Sequence, residues 1–323
     1  MLVSLTGVEY RKLGRSGLRL SSIGLGTMTW GRDTEQMDAA DQLADFLAEG
    51  GNLVDTATSY GDGAAERLLG QLMAPGSVAS RQDLVICTKS GTRLRGQSAI
   101  VDASRGNLLD CLDASLRRLG TDHVDLWLVQ SPDPQTPLDE TLSALEFAVA
   151  SGRTRYVGLS NHPAWQLAVA AAKLEGGIGL AASQNEYSLL ARQIEAELMP
   201  ATGALGIGLL AWSPLGRGVL TGKYRHSIPA DSRAASAHLA GFVQPYLNSA
   251  AAAVVDAVVA AAEGLALAPL DVALAWVRGR PGVASAIVGA RTAPQLRVAL
   301  KQADLVLPQA INEALSEVSG PEA

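Results

Sequence analysis

The sequence predicts an α/β protein, a (β/α)8 barrel preceded by a β-hairpin and followed by extra C-terminal helices. Short apolar segments of strand length alternate with amphipathic helical segments along almost the whole chain. Eight such strands are present, the number that closes a parallel TIM barrel. The first strand carries Gly24 and Gly26 without a third glycine, so it lacks the Gly-x-Gly-x-x-Gly turn of the competing open doubly wound sheet.

The elements follow one another in a regular order. Residues 8–20 hold Gly14 and Gly17 between short polar–apolar alternations, which predicts the hairpin. Aliphatic runs predict strands at residues 22–27, 53–55, 84–89, 124–130, 155–160, 182–186, 206–212 and 284–288. Helical spacing of apolar residues predicts helices at residues 33–49, 64–73, 101–119, 138–150, 163–174, 193–202, 250–262, 270–278, 293–303 and 309–318. A long, polar, glycine-containing segment occupies residues 213–245.

Composition narrows the class of protein. Hydrophobic residues make up 48% of the 323 residues and aromatic residues only 4%, so we expect a large aliphatic core. The net charge of −6 argues against nucleic acid as the main partner. No run approaches the ~20 apolar residues of a membrane span, and no signal peptide is seen. Cys87 lies in a predicted strand and Cys111 in a predicted helix, a pattern typical of reduced thiols in a cytoplasmic protein.

No linker divides the chain. We therefore expect residues 1–323 to form a single domain, with residues 1–21 as the N-terminal hairpin segment and residues 319–323 as a disordered tail.

Polar residues stand where three predicted strands end. Asp55 ends the second strand, Lys89 the third and Gln130 the fourth, and Tyr60 follows Asp55 by five residues on a glycine-bounded loop. Active sites of such barrels lie at the carboxyl ends of the strands. Side chains alternate along a strand, so we expect Asp55, Lys89 and Gln130 to converge, with Tyr60 reaching over from its loop.

This group predicts a site that manages a proton. A free tyrosine, with a pKa of about 10, is a poor proton donor near neutrality. The Lys89 cation, held by Asp55, is expected to lower the pKa of Tyr60 so that it can protonate a carbonyl oxygen while a hydride arrives at carbon. From these residues alone the alternative stays open that Asp55 and Lys89 form a structural ion pair and that Tyr60 only caps a loop.

Motifs spread over almost the whole chain carry a resemblance to a known family. They are residues 10–17, 23–31, 55–61 and 87–89, together with the stretches at residues 158–161, 183–187, 213–224 and 289–292. In these the sequence resembles the aldo-keto reductase superfamily, in its bacterial and potassium-channel β-subunit-like branch. The resemblance implies that Asp55, Tyr60, Lys89 and Gln130 are catalytic. It also implies an oxidoreductase that reduces aldehydes or ketones with NADPH.

The resemblance also implies a cofactor site. Ser160, Asn161 and Gln184 would bind the nicotinamide carboxamide, and Trp212 would stack on the nicotinamide ring. The other residues implied for the cofactor are Thr27, Met28, Asp55, Ser213, Pro214, Leu215, Gly218, Lys223, Arg233, Gly289, Arg291 and Gln295. Arg291 could grip a 2′-phosphate, which favours NADPH over NADH.

The sequence specifies the substrate contacts less well than the cofactor contacts. Trp30, Tyr60 and Gln130 are expected to contact a small-molecule carbonyl substrate, and no metal site is predicted. Specificity is expected from Trp30 and from the loops at residues 93–97, 132–137 and 225–246. A homo-oligomer is compatible with the sequence.

The sequence departs from the family pattern at two places. The family commonly has histidine at the end of the fourth strand, and the channel-subunit branch has asparagine, but this chain has Gln130. Because an amide cannot titrate, we expect Gln130 to orient the substrate and Tyr60 alone to supply the proton. Val298 and Ala299 stand where the family often has polar residues that hold adenine.

The departure at Gln130 leaves two other functions open. One is a cofactor-binding regulatory or sensor subunit with slow turnover. The other is reduction of an activated C=C bond, which the family links to glutamate at this position and which is therefore less favoured.

Overall fold

The computed structural model describes residues 8–95, 98–230, 232–236 and 238–320, with only the backbone described at residues 94, 95 and 98. The first seven residues of the predicted hairpin segment and residues 321–323 of the predicted tail lie outside the described residues. The strands are β1 Tyr10–Lys12, β2 Arg19–Ser21, β3 Ile23–Gly26, β4 Leu53–Asp55, β5 Val85–Ser90, β6 Thr92–Arg95, β7 Ser98–Val101, β8 Val124–Val129, β9 Thr154–Ser160, β10 Ala182–Glu186, β11 Gly208–Trp212 and β12 Val283–Val288.

Eight of these strands, β3, β4, β5 and β8 to β12, close into a parallel barrel. This confirms the predicted fold class. Helices cover the barrel and connect its strands. They are α1 Gln36–Ala48, α2 Ala64–Leu72, α3 Arg105–Leu119, α4 Leu138–Ala150, α5 Ala164–Lys173, α6 Leu198–Leu205, α7 Ala240–Val243, α8 Ser249–Leu265, α9 Pro269–Arg278, α10 Ala293–Leu300 and α11 Gln309–Val318.

The barrel interior is aliphatic below a polar upper layer. Leu53, Cys87, Leu126 and Leu128 belong to one buried cluster inside the barrel, as the alternation along β4, β5 and β8 requires. Each lies two or four residues before a polar residue at its strand end. The same inward face that fills the core therefore carries the polar side chains upward to the carboxyl ends of the strands.

The N-terminal hairpin closes the opposite end of the barrel. β1 and β2 pair antiparallel, and the turn between them presses against the start of β11. Gly14, at φ 56°, lies so close there that a Cβ would meet the Gly206 carbonyl oxygen at 2.3 Å. Leu13 and Leu20 are fully buried in the interior cluster. The hairpin thus plugs the barrel and leaves the carboxyl ends of the strands open.

Three predicted segments differ from the structure. Residues 92–95 and 98–101 form the antiparallel strands β6 and β7. Helix α3 begins only at Arg105, and before it Asp102 Oδ1 accepts from the Ser104 N–H (3.0 Å) and hydroxyl (2.6 Å). The helix predicted at residues 193–202 is a 3₁₀ turn, Gln193–Glu195, followed by α6. The polar segment after β11 contains three 3₁₀ turns and α7. Periodicity alone did not resolve these short elements.

The length and composition of a helix determine whether it could span a membrane. Among the described residues no single helix is long and apolar enough to cross a bilayer. One pair, Ala240–Tyr246 with Ser249–Leu265, passes by length and composition together, with a bend of 79° between its halves.

Candidate active site

A cavity of about 710 Å³ opens at the carboxyl ends of the barrel strands. It brings together eighteen of the twenty residues predicted for the site. These are Met28, Asp55, Tyr60, Lys89, Gln130, Ser160, Asn161, Gln184, Trp212, Ser213, Pro214, Leu215, Gly218, Lys223, Arg233, Gly289, Arg291 and Gln295. Residues at or just after the ends of all eight barrel strands therefore meet in one place with residues from the connecting segments.

Asp55 and Lys89 form the floor of the cavity. Lys89 Nζ lies 2.7 Å from both Asp55 carboxylate oxygens and donates to the Thr56 carbonyl oxygen at 2.8 Å. Both side chains are only 3% exposed. Gln184 Nε2 donates to Asp55 Oδ1 at 2.8 Å. The ion pair is therefore buried and has further hydrogen-bond partners, which a desolvated pair needs in order to be tolerated.

The pKa of Lys89 reflects two opposed effects. Burial lowers the pKa, and the nearby Asp55 carboxylate raises it, supported by Tyr60 and Cys87. The net direction is a raised pKa, so Lys89 stays a cation through the whole physiological range. A permanent positive charge is thus fixed beneath the cavity.

Tyr60 lies beside this cation. Lys89 Nζ is 5.1 Å from the centre of the tyrosine ring. Burial raises the pKa of Tyr60, Lys89 lowers it and Asp55 raises it, which leaves the pKa at about 12. The expected lowering by Lys89 is present, but burial outweighs it. The phenol consequently carries its proton at neutral pH, as a proton donor must.

Gln130 is held from two sides. Its backbone N–H donates to the Ser90 carbonyl at 2.9 Å, and its carbonyl accepts from Asn161 Nδ2 at 2.9 Å. Its side-chain amide lies against the Ser59 hydroxyl, with Oγ 3.1 Å from Oε1 and 3.0 Å from Nε2. Sequence reasoning missed Ser59, because nothing in the chain indicates that residues 59 and 130 meet.

Trp212 lines the cavity next to Asn161. Its indole N–H donates to Asn161 Oδ1 at 3.0 Å, and its ring lies 6.4 Å from that of Phe242 with an interplanar angle of 18°. Arg217, a lining residue that the sequence did not single out, has its guanidinium 4.0 Å from the Phe242 ring centre. Arg217 also makes two hydrogen bonds, of 2.8 and 2.6 Å, to the Glu186 carboxylate at the end of β10.

The long segment after β11 is attached at both sides of the cavity. Near its start Arg217 contacts Glu186 at the end of β10 at 2.6 Å, and further along His238 Nε2 lies 2.8 Å from Asp33 Oδ1. Pro229, Ser232, Arg233 and Phe242 of this segment line the cavity. The segment therefore forms part of the wall and is anchored to the barrel by contacts near both of its ends.

Three cations line the part of the cavity far from Tyr60. Lys223, Arg233 and Arg291 belong to none of the ion pairs found in the described part of the chain. Burial lowers the pKa of Arg233, and the neighbouring charge of Arg291 lowers it further. Two cations that repel each other beside a cavity form a favourable place for an anion.

Backbone without side chains faces these cations. A Cβ on Gly218, at φ 94°, would lie 3.4 Å from Lys223 Nζ, and a Cβ on Gly289 would lie 3.5 Å from Arg233 Nη2. Glycine at both positions keeps the cavity open next to the charges. The arrangement fits an extended molecule that carries phosphate groups.

Two predicted residues lie outside the cavity. Trp30, predicted to contact substrate, is fully buried, and its indole N–H donates to Gln42 Oε1 on α1 at 3.0 Å. The structure therefore assigns Trp30 to the core between β3 and α1. Thr27, predicted for the cofactor, is also fully buried, and its hydroxyl donates to the Asp55 carbonyl oxygen at 3.0 Å, which holds β3 against β4.

Comparison with known proteins agrees with this geometry. The model of the aldo/keto reductase family matches residues 22–319. The "Uncharacterized oxidoreductase YrpG" of Bacillus subtilis is 34% identical over 321 residues, covering 96% of either chain. A "Probable voltage-gated potassium channel subunit beta" of Arabidopsis thaliana is 34% identical over 316 residues, covering 93% of this chain and 92% of the relative. This chain belongs to the aldo/keto reductase family of oxidoreductases.

Proposed function

We propose that the protein is an NADPH-dependent reductase that converts aldehyde or ketone carbonyls to alcohols. The observation that carries the proposal is the convergence of Tyr60, Lys89, Asp55 and Gln130 on one floor, beneath a cavity whose far part is cationic. The reduced thiols of Cys87 and Cys111 and the net charge of −6 support a cytoplasmic protein with a small-molecule substrate. Residues 1–323 would act as one domain, alone or as a homo-oligomer.

The residues present fit a phosphate-bearing dinucleotide. Ser160, Asn161 and Gln184 would hold the carboxamide end, and Trp212 offers a flat face above it. Lys223 and the glycine-lined backbone near it would hold the pyrophosphate, and Arg233 with Arg291 a 2′-phosphate. When bound there, the cofactor would supply the hydride for the reduction.

The chain's own residues supply the other half of the reaction. Tyr60 O–H donates its proton to the carbonyl oxygen as negative charge develops on it, and Lys89 stabilises the resulting tyrosinate. Asp55 keeps Lys89 charged and in place. The side-chain amide of Gln130 donates a hydrogen bond to the same oxygen and thereby orients the substrate, without taking part in proton transfer.

A second function has one specific observation in its favour. Two relatives that match over nearly the whole chain are named as probable potassium channel β-subunits. A regulatory or sensor subunit would bind NADP(H) tightly and turn over slowly.

Single-turnover kinetics test the proposal. The protein loaded with NADPH is mixed with a panel of small aldehydes, and loss of nicotinamide absorbance is followed. Oxidation of the bound cofactor within seconds by at least one aldehyde supports a reductase. Tight binding of NADPH with no oxidation by any member of the panel would favour the sensor and reject the reductase.

The reduction rate should be nearly independent of pH. The pKa of Tyr60 is raised to about 12, and burial lowers that of His162 to about 4, with His162 Nδ1 2.8 Å from the Ser160 carbonyl oxygen. Neither group changes protonation between about pH 6 and 9, so we expect the single-turnover rate to vary less than about threefold there. A rate that follows a group near pH 6.5, and loses that dependence when a histidine is replaced, would contradict this assignment.

Preference for NADPH should depend on the two arginines at the far part of the cavity. Arg291→Ala is expected to raise the Kd for NADPH by about tenfold or more, since a hydrogen bond to a charged group contributes about 1.5–3 kcal/mol. The Kd for NADH should change less than about twofold. Both constants are measured by nicotinamide fluorescence.

The chain offers a matched control for Arg291. Arg297→Ala also removes one arginine, but Arg297 is 54% exposed and pairs with Asp45 at 2.7 Å away from the cavity lining. This variant should leave both constants unchanged. An equal loss of NADH and NADPH affinity in Arg291→Ala would show that the residue does not read the 2′-phosphate.

A further inference from the structure

The Gln130 amide has one side-chain partner among the described residues, and that partner directly precedes Tyr60. Ser59 Oγ lies 3.1 Å from Gln130 Oε1 and 3.0 Å from Nε2. Ser59 is 7% exposed, whereas Gln130 is half-buried and lines the cavity. The hydroxyl therefore lies behind the amide, on the side away from the open cavity.

We propose that Ser59 is a positioning residue that holds the side-chain amide of Gln130 in place beside the substrate. The proposal rests on the proposed function, in which Gln130 donates a hydrogen bond to the carbonyl oxygen. It goes further in assigning the position of that amide to one neighbouring hydroxyl group.

The chemistry of the amide makes its position matter. A carbonyl oxygen only accepts hydrogen bonds, so it needs an Nε2 hydrogen of Gln130 within reach. The Ser59 hydroxyl donates to Oε1 and accepts from Nε2, so it contacts both atoms of the amide. The amide nitrogen has two hydrogens, of which one can face Ser59 Oγ while the other remains for the substrate. Ser59 thus holds the amide and leaves a donor for the carbonyl group.

Both residues are fixed by backbone contacts that do not involve this hydroxyl. Thr56 N–H donates to the Cys87 carbonyl at 2.8 Å and Thr58 N–H to that of Lys89 at 3.0 Å, so the loop before Tyr60 is bound to β5. The backbone of Gln130 is held by Ser90 and Asn161, as described above. The remaining freedom is rotation of the Gln130 side chain. Removal of the Ser59 hydroxyl should free that rotation and leave the fold intact.

A double-mutant cycle tests the coupling in turnover. Ser59→Ala is expected to lower kcat/KM for an aldehyde by about three- to tenfold, because the amide loses the one side-chain group that holds it. Ser59→Thr, which keeps the hydroxyl, should restore most of the loss. In a Gln130→Ala background, Ser59→Ala should cost less than about twofold. Additive losses in the double variant would overturn the proposal, because they would show that Ser59 acts independently of Gln130.

A spectroscopic readout does not depend on catalysis. In protein labelled with 15N at glutamine side chains, the Gln130 amide signal is assigned by its loss in Gln130→Ala. We expect Ser59→Ala to shift this signal and to speed its exchange with solvent, whereas Ser59→Thr should not. The control Ser143→Ala also removes one hydroxyl, which donates at 2.6 Å to the Glu140 carbonyl within α4, and should have no effect.

The kinetic and the spectroscopic measurements distinguish failure of the positioning role from failure of the proposed function. If no carbonyl compound is reduced, the proposed function fails, and the amide signal alone decides whether Ser59 holds Gln130. If the protein reduces aldehydes but the Gln130 signal is the same with and without the Ser59 hydroxyl, the positioning role is rejected and the proposed function stands.

Discussion

Replacement of Tyr60 by phenylalanine is expected to lower the single-turnover rate of carbonyl reduction by about 10²–10⁴-fold, the usual contribution of a positioned general acid. Tyr60 lines the cavity and carries its hydroxyl proton at neutral pH, since its pKa is raised to about 12. Phenylalanine keeps the ring beside Lys89 and removes only the hydroxyl. The Kd for NADPH should therefore stay within about twofold, measured by fluorescence alongside the kinetics.

A second tyrosine provides the comparison. Tyr10→Phe also removes one hydroxyl, which donates at 2.7 Å to the Gly50 carbonyl oxygen and is not part of the cavity. It should leave the reduction rate unchanged. A Tyr60→Phe protein that still reduces aldehydes at the original rate would show that the proton comes from another donor, such as water.

The barrel was predictable because most of its strands are short aliphatic runs that alternate with helical segments along the chain. The inward positions of β5 and β8 were also predictable, since alternation places Cys87 and Leu126 beneath Lys89 and Gln130. Strands β6 and β7 were not, because both are short and because Val101, the last residue of β7, fits the apolar spacing of α3. Asp102 and Ser104 carried the signal for the true helix start, since such residues favour the backbone just before a helix.

The site was predictable as far as strand ends determine it. The contacts across the cavity were not. Ser59 contacts Gln130 although the two residues are 71 positions apart in the sequence. Arg217, whose own φ is 58°, lies in the segment after β11 and donates hydrogen bonds to the Phe242 carbonyl oxygen and to the Glu186 carboxylate. Burial of Trp30 requires a hydrogen-bond acceptor for its indole N–H, and Gln42 on α1 is that acceptor. Composition could not decide this, because tryptophan lines pockets and fills cores equally well.

Burial raises the pKa of Tyr60 by more than the neighbouring cation lowers it. Sequence reasoning placed a cation next to the phenol and expected a lowered pKa. The structure adds the cost of burying the tyrosinate, which is the largest effect and raises the pKa to about 12. It is easier to infer from a sequence that two charged groups are neighbours than to infer how little solvent reaches them. Lys89 is therefore expected to act when the proton leaves, by stabilising the tyrosinate that forms.

The largest expected effect on stability comes from breaking the ion pair beneath Tyr60. Lys89→Met leaves the Asp55 carboxylate, 3% exposed, with Gln184 Nε2 at 2.8 Å but without its cation. Removing one partner of a buried pair costs about 3–5 kcal/mol, because the other charge remains desolvated. We expect the free energy of unfolding, measured in urea, to fall by that amount.

Replacing both partners should cost less than replacing Lys89 alone. In Asp55→Asn/Lys89→Met no buried charge remains, so part of the lost stability should return. An equal loss of stability in the two variants would mean that lost packing of the lysine chain, and not an unpaired Asp55 charge, destabilises the barrel.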